Sequence, residues 1–438
     1  MKSHLFNAYS KLDWLIITAI FMFPITFLTV RHGVHVSLFV LLLIASYQFC
    51  RFGVKNIQVD YPQDLIILLI FSGLFLSVLV SQISRGAIHF AAFDGPSRIL
   101  FAGIVFIFIK QLNIPYIKLL SITIPAGLIC TFLSLQANPN LNWGGRYATY
   151  FVDPNTLGSQ TFILGILSTL LTGWAQDRSR ALSLLLATGG VIGLYISLGT
   201  GSRGAWLTAP FLFLLLLILR IGDISRAIET QKERLRLQTV MTIMGIITIM
   251  VICLYLSDTL SARIISGYVD VQNWFSGKDL EGAAGIRLSM WKFGLQFSSE
   301  SFLFGYGEEK NILQVLQNSP LNIPANQLAI GTMAYTGPHS DILSKLLTSG
   351  IFGLIAYLGL MFLPFMIFWQ HRNEINPDKK MASRAGLYYI IGIFIAGFSN
   401  EQLSLKYLCT FYSLMIATLL AQVLYKPSVV PTRQPPAV

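Results

Sequence analysis

The sequence predicts an all-α polytopic membrane protein, and three observations predict it. Only 12% of its 438 residues are charged, about half the share of an average soluble domain. Hydrophobic residues make up 54%. They fall in blocks of roughly 17–25 residues, the length that crosses ~30 Å of hydrocarbon at 1.5 Å per residue. With 31 basic and 20 acidic residues, the chain has too little polar surface for a water-soluble enzyme of this size. A nucleic-acid binder and a disordered scaffold are excluded on the same ground.

The blocks give about twelve spans, near 12–30, 34–50, 64–82, 97–112, 114–135, 155–174, 181–198, 203–221, 239–257, 350–369, 384–399 and 404–425. The first follows Lys2 and Lys11 in the manner of a signal peptide. It is too long for a signal h-region, and no small-x-small cleavage site follows, so it reads as a membrane helix. The fourth and fifth are parted only by Asn113, Ile114 and Pro115. Cys50, Cys130, Cys253 and Cys409 lie within or beside apolar blocks, and no disulfide framework or zinc site is visible.

Orientation follows from basic residues. With the N-terminus inside, cytoplasmic segments hold 19 Lys and Arg, the short external loops six, and the long external stretch another six. Long loops escape the positive-inside rule, so 19 against six sets both termini in the cytoplasm. The run Arg220–Gln238 reads as a solvated cytoplasmic helix near anionic lipid. The organisation is then residues 1–257 with helices one to nine, 258–340 as a periplasmic loop, 341–425 with helices ten to twelve, and 426–438 as a Pro-rich cytoplasmic tail.

A loop of about 80 residues without function is uncommon. Within it, Ile286–Ser298 is apolar at Leu288, Trp291 and Leu295, with Met290, Phe293 and Phe297 alongside. That pattern predicts an amphipathic helix on the membrane surface. Asp341 to Trp369 holds no proline before Pro364, so it predicts one helix of 29 residues, about 43 Å long. Its first turns, with Asp341 and Lys345 paired at i, i+4, would stand above the membrane.

The span centres carry no ionisable residue, which weighs against an ion-coupled transporter. The unusual charges gather on the external face. Arg203 opens span eight in Gly199-Thr200-Gly201-Ser202-Arg203-Gly204, with Ser202 placed to cap the helix. A cation at a helix N-terminus opposes the dipole, and it makes sense if an anion is held there. Arg287 stands likewise at the start of the loop helix, next to Trp291. His339, in Gly337-Pro338-His339-Ser340-Asp341, precedes another helix, where its charged form is disfavoured. It would be neutral near pH 7 and able to take a proton. Arg146 adds a cation in Trp143-Gly144-Gly145-Arg146-Tyr147, ahead of the turn Asp153-Pro154-Asn155. His32, His35 and His89 are external without a comparable motif. No metal cluster, phosphate-binding Gly-Lys loop or serine-histidine-acid arrangement appears, so neither metal nor cofactor is expected.

Three motifs together resemble the O-antigen ligase and O-antigen polymerase superfamily of bacterial envelope glycosyltransferases. They are Ser202-Arg203-Gly204; Arg287-Leu288-Ser289-Met290-Trp291 with Phe304-Gly305-Tyr306-Gly307; and Pro338-His339-Ser340-Asp341-Ile342-Leu343 running into Gly350-Ile351-Phe352-Gly353-Leu354. The long loop before span ten fits as well. Many relatives carry asparagine where this chain has Ser340. The resemblance implies a GT-C-like fold in the inner membrane of a Gram-negative bacterium. It also implies metal-independent, inverting transfer of a glycan from undecaprenyl pyrophosphate to a hydroxyl of lipid A core on the periplasmic face, in lipopolysaccharide maturation. Arg203 and Arg287 would bind the pyrophosphate and His339 would act as base. Arg146, Ser202 and Trp291 would complete the substrate site, with membrane lipids around it and no nucleic acid. A polysaccharide polymerase or a protein O-oligosaccharyltransferase is the alternative within the superfamily. An anionic-solute transporter is the alternative outside it.

Overall fold

The computed structural model describes residues 11–52, 60–176, 178–229, 231–237, 239–240, 244, 258–278, 281–307, 331–333 and 336–426. Among them the chain is helical, with no strand. Its helices are α1 (Lys11–Thr26), α2 (Gly33–Phe52), α3 (Gln63–Ser84), α4 (Asp94–Ile109), α5 (Tyr116–Ala137), α6 (Pro154–Gln176) and α7 (Arg180–Thr200). Then come α8 (Arg203–Trp206), α9 (Thr208–Arg226), α10 (Asp258–Ser276), α11 (Ala283–Ser298), α12 (Asp341–His371), α13 (Pro377–Ala396) and α14 (Lys406–Leu424). Nine of the described helical segments are long and apolar enough to cross a membrane. The 16-residue α1 is shorter than that, and α13 begins with Asp378, Lys379, Lys380 and Arg384. All of the ninth predicted span, 239–257, except 239–240 and 244, lies outside the described residues, as do the segment before Lys11 and the tail after Lys426.

Packing follows from which helices lack a polar face. Nearly every residue of α14 is buried, from Leu408 to Leu424, so it forms the centre of the bundle. α4 lies along it, α1 stacks Phe27 on Phe411 with ring centroids 3.6 Å apart, and α13 brings Tyr389 against Tyr412. α6 and α7 pack together along their length, and α12 packs against α3. At the end of the bundle remote from Arg203, ion pairs tie the helices. Asp223 of α9 takes a two-pronged contact from Arg384 at 2.6 and 2.7 Å, and Asp64 pairs with Lys110 in the interior.

One expectation about the later helices is corrected. α12 is not one continuous helix: Gly350 has φ 65° and ψ −155°, a backbone region essentially reserved for glycine. The break frees backbone groups that must find partners where water is excluded. The segment 302–307 supplies them. Tyr306 and Gly307 donate their N–H groups to the carbonyls of Leu347 (2.6 Å) and Thr348 (3.0 Å), and Ile351 donates to Phe302 O at 2.8 Å. The Ser81 hydroxyl donates to the carbonyls of Phe304 and Thr348, and Arg85 Nη1 reaches Tyr306 O at 2.7 Å. Phe304-Gly305-Tyr306-Gly307 is thus the clasp on the broken helix.

The α11 helix forms as expected from its apolar spacing. Met290, Phe293 and Phe297 are buried with Met333 and Leu347, while Leu295 is 60% exposed.

A Cβ at Gly350 would lie 2.2 Å from the Leu303 carbonyl oxygen, whereas at Gly359 it would meet only Leu363 Cδ1 at 4.0 Å. Gly350→Ala should therefore cost about 1–3 kcal/mol and lower the Tm of the purified protein. Gly359→Ala should leave the Tm unchanged or raise it. Equal Tm values for the two variants would contradict the clasp.

Candidate active site

The site is built around the turn that ends α7. Gly201 adopts φ 60° there, a left-handed conformation that glycine alone reaches without strain. The last carbonyls of a helix attract cations, and two arginines take them. Arg146 Nε donates to Thr200 O at 2.6 Å and its Nη2 to Asn155 Oδ1 at 2.8 Å. Arg263 Nη1 donates to Gly201 O at 3.2 Å. Arg263 belongs to α10, within the stretch read from sequence as loop.

Arg203 is the first residue of α8. Its Nη1 reaches Arg263 O and Ser266 Oγ, each at 3.2 Å, and its Nη2 lies 3.5 Å from Asp270 Oδ2. That same Asp270 oxygen accepts the Ala284 N–H at 3.4 Å, in the first turn of α11. One carboxylate therefore links Arg203 to the helix that carries Arg287. One detail differs from expectation. Ser202 occupies the N-cap position but its side chain caps nothing, and its own N–H donates to Thr200 Oγ1 at 3.2 Å. Leu207 keeps helical dihedrals between α8 and α9, so Arg203 opens one apolar helical segment that runs to Arg226.

Arg287 sits one turn into α11, half-buried. Its Nε is buried without a hydrogen-bond partner, and Nη1 lies 3.5 Å from Ala283 O. Burial, then Arg203 and Arg146, depress its pKa. Burial, then Arg263 and Arg203, act alike on Arg146, with Asp153 opposing. The four arginines thus share one region and repel one another. The indole N–H of Trp291 is also buried without a partner.

His339 joins them from the other side. It has φ 49°, the one non-glycine residue at positive φ among those described. Such backbone is uncommon, and it recurs at functional sites. Its Nε2 lies 3.3 Å from Thr336 Oγ1, and its ring is also hydrogen-bonded to the Asn400 side chain. Burial first, then Arg287, lowers its pKa below 6.5. Desolvation and a neighbouring cation, rather than a helix dipole, favour the uncharged imidazole.

A polar loop between α13 and α14 fixes this arrangement, and the sequence reading missed it. The expected Asp341–Lys345 pairing is replaced. Asp341, fully buried, accepts the N–H groups of Gln402 (3.0 Å) and Leu403 (2.9 Å), and its own N–H donates to Gly397 O at 2.8 Å. Lys345 turns to Leu403 O at 2.8 Å. Asn400 Nδ2 donates to Thr156 Oγ1 at 3.0 Å, and Gln160 Nε2 to Gln402 Oε1 at 2.8 Å. Burial pushes the Glu401 carboxyl up to about 7, against hydrogen bonds from Ser404 and Ser344. The available signal was Ser399-Asn400-Glu401-Gln402, four polar residues in a short gap between apolar spans.

Arginines and a histidine thus gather at one end of the helical bundle. Residues 188–358 match the family model described as O-antigen ligase. The matched segment contains Arg203, Arg263, Arg287, His339 and Gly350, and stops short of Arg146 and Asn400. The chain is 22% identical over 203 residues to a Haemophilus influenzae protein described as uncharacterized, a match covering 46% of this chain. It spans about half, 47%, of that relative's length.

The direction of the His339 shift gives a test without substrate. Diethyl pyrocarbonate modifies neutral imidazole, so His339 should stay reactive below pH 6.5, mapped by mass spectrometry. Arg287→Gln removes one of the depressing charges and should move the acid limb upward. An unshifted limb in that variant would contradict the placement of Arg287 beside His339.

Proposed function

We propose that this protein is an O-antigen ligase: it transfers a glycan from undecaprenyl pyrophosphate to a hydroxyl of lipid A core at the periplasmic face of the inner membrane. The observation that carries the reading is the gathering of four guanidinium groups and an imidazole whose pKa burial lowers, balanced locally by Asp153 and Asp270. Two positive charges remain in excess, and a pyrophosphate diester brings two negative ones. The family match supports the same class of reaction.

The acceptor hydroxyl oxygen attacks the anomeric carbon from the side opposite the pyrophosphate. The glycosidic C–O bond to phosphate breaks, its electron pair leaves on the lipid pyrophosphate, and the hydroxyl proton passes to His339. The anomeric centre inverts. Arg203 and Arg287 hold the phosphate oxygens as their charge grows; losing one such donor costs about 10²–10³ in rate. The base contributes about 10²–10⁴. Arg146 and Arg263, bonded to the α7 turn, position Arg203 and add field. Trp291 and Ser202 line the substrate side. No metal enters this scheme. In the same reading α1, α13 and residues 239–257 complete twelve spans with both termini cytoplasmic, and residues 258–340 form the periplasmic segment. The polyprenyl tail lies between apolar helices.

A deletion strain complemented with variants tests it. Arg203→Ala, Arg287→Ala and His339→Ala should each abolish transfer at normal membrane levels, leaving full-length O-chains on undecaprenyl pyrophosphate. Single lipid-linked repeats would instead indicate a polymerase, and modified pilin a protein acceptor. Solute flux in proteoliposomes with no change to any lipid would replace the enzyme with a transporter. Wild-type transfer by His339→Ala would remove the base.

A further inference from the structure

A second cavity, of about 470 Å³, opens between α3, α4 and the first turns of α12. Its size suits a small-molecule headgroup. None of Arg146, Arg203, Arg263, Arg287 or His339 lines it. Three other cations do, Arg85, Lys345 and Lys406, and among the described residues that line it none is acidic. Lys345 is half-buried, its ammonium held by Leu403 O at 2.8 Å and Ser404 Oγ at 3.3 Å. Lys406, 58% exposed at its side chain, contacts Asp94 at 2.5 Å on the rim. Ser344, Thr348 and Ser404 add hydroxyl groups to the wall.

Ser77, Ser81, Gln82 and Ser349 are polar lining as well. Leu74 and Val78 of α3 and Ile99 of α4 add alkyl groups, from segments long and apolar enough to cross a membrane. Cations and hydroxyls together with alkyl groups match an amphiphile with an anionic head. Ammonium and guanidinium groups among hydroxyl donors are the usual partners of phosphate oxygens.

We propose that this cavity binds a phosphate ester anion, separately from the arginine cluster, with an anionic phospholipid headgroup or free phosphate as the two sources. Occupancy requires no transfer chemistry, so the site stands or falls apart from the catalytic reading. It would also bear on His339: Lys345 holds Leu403, next to the backbone that Asp341 grips.

The test is native mass spectrometry of the full-length protein in detergent, titrated with phosphatidylglycerol or phosphatidylcholine, with inorganic phosphate as competitor. Phosphatidylglycerol should be retained about tenfold more tightly. Lys345→Gln and Ala92→Phe, the second filling the cavity without changing charge, should each erase that preference. Displacement by millimolar phosphate would show that the free ion suffices; resistance to it would identify the lipid as the source. Equal retention of both lipids with no phosphate effect would overturn the proposal. So would wild-type retention by both variants while their Tm values match the parent's.

Discussion

The site depends on holding like charges together. Arg146, Arg203, Arg263 and Arg287 come from four separate stretches of chain, and each lowers the proton affinity of a neighbour or has its own lowered. Such a cluster opposes folding unless carbonyls and carboxylates offset it. Here the offset is specific. The exposed carbonyls at the end of α7 take Arg146 and Arg263, and Asp270 takes Arg203 while gripping the first turn of α11. Arg287 receives least, with a buried Nε that has no hydrogen-bond partner among the described residues.

The histidine is delivered to this cluster by a backbone device rather than by side-chain packing. Breaking α12 at Gly350 leaves a short helix from Asp341 to Ser349 that can be aimed independently of the long one beyond. The 302–307 clasp satisfies the break from one side, and Asp341 binds the 397–403 loop from the other. His339 is held two residues ahead, in left-handed backbone, against Asn400. Neither anchor contacts the reacting groups, yet both fix where the imidazole stands.

Much of this could be read from residues alone. Apolar block lengths located the helices, and Arg203, Arg287 and His339 stood out because cations and a histidine at helix starts conflict with local electrostatics. Arg263 did not, since an arginine in a polar stretch next to a loop carries no such conflict. The break at Gly350 was illegible because glycine inside an apolar helix is ordinarily tolerated, and only its φ reveals the turn. Glu401 and Asn400 were hidden for a related reason. Polar residues between two spans read as solvated until tertiary contacts bury them.

The account stands on the arginine cluster binding a lipid pyrophosphate, and direct binding tests this most closely. Titration of the purified protein with undecaprenyl pyrophosphate, read by native mass spectrometry, should give an affinity that falls roughly 10–100-fold in Arg287→Gln, the loss of one charge-assisted contact. An affinity unchanged by that substitution would mean that the guanidinium groups serve the fold alone.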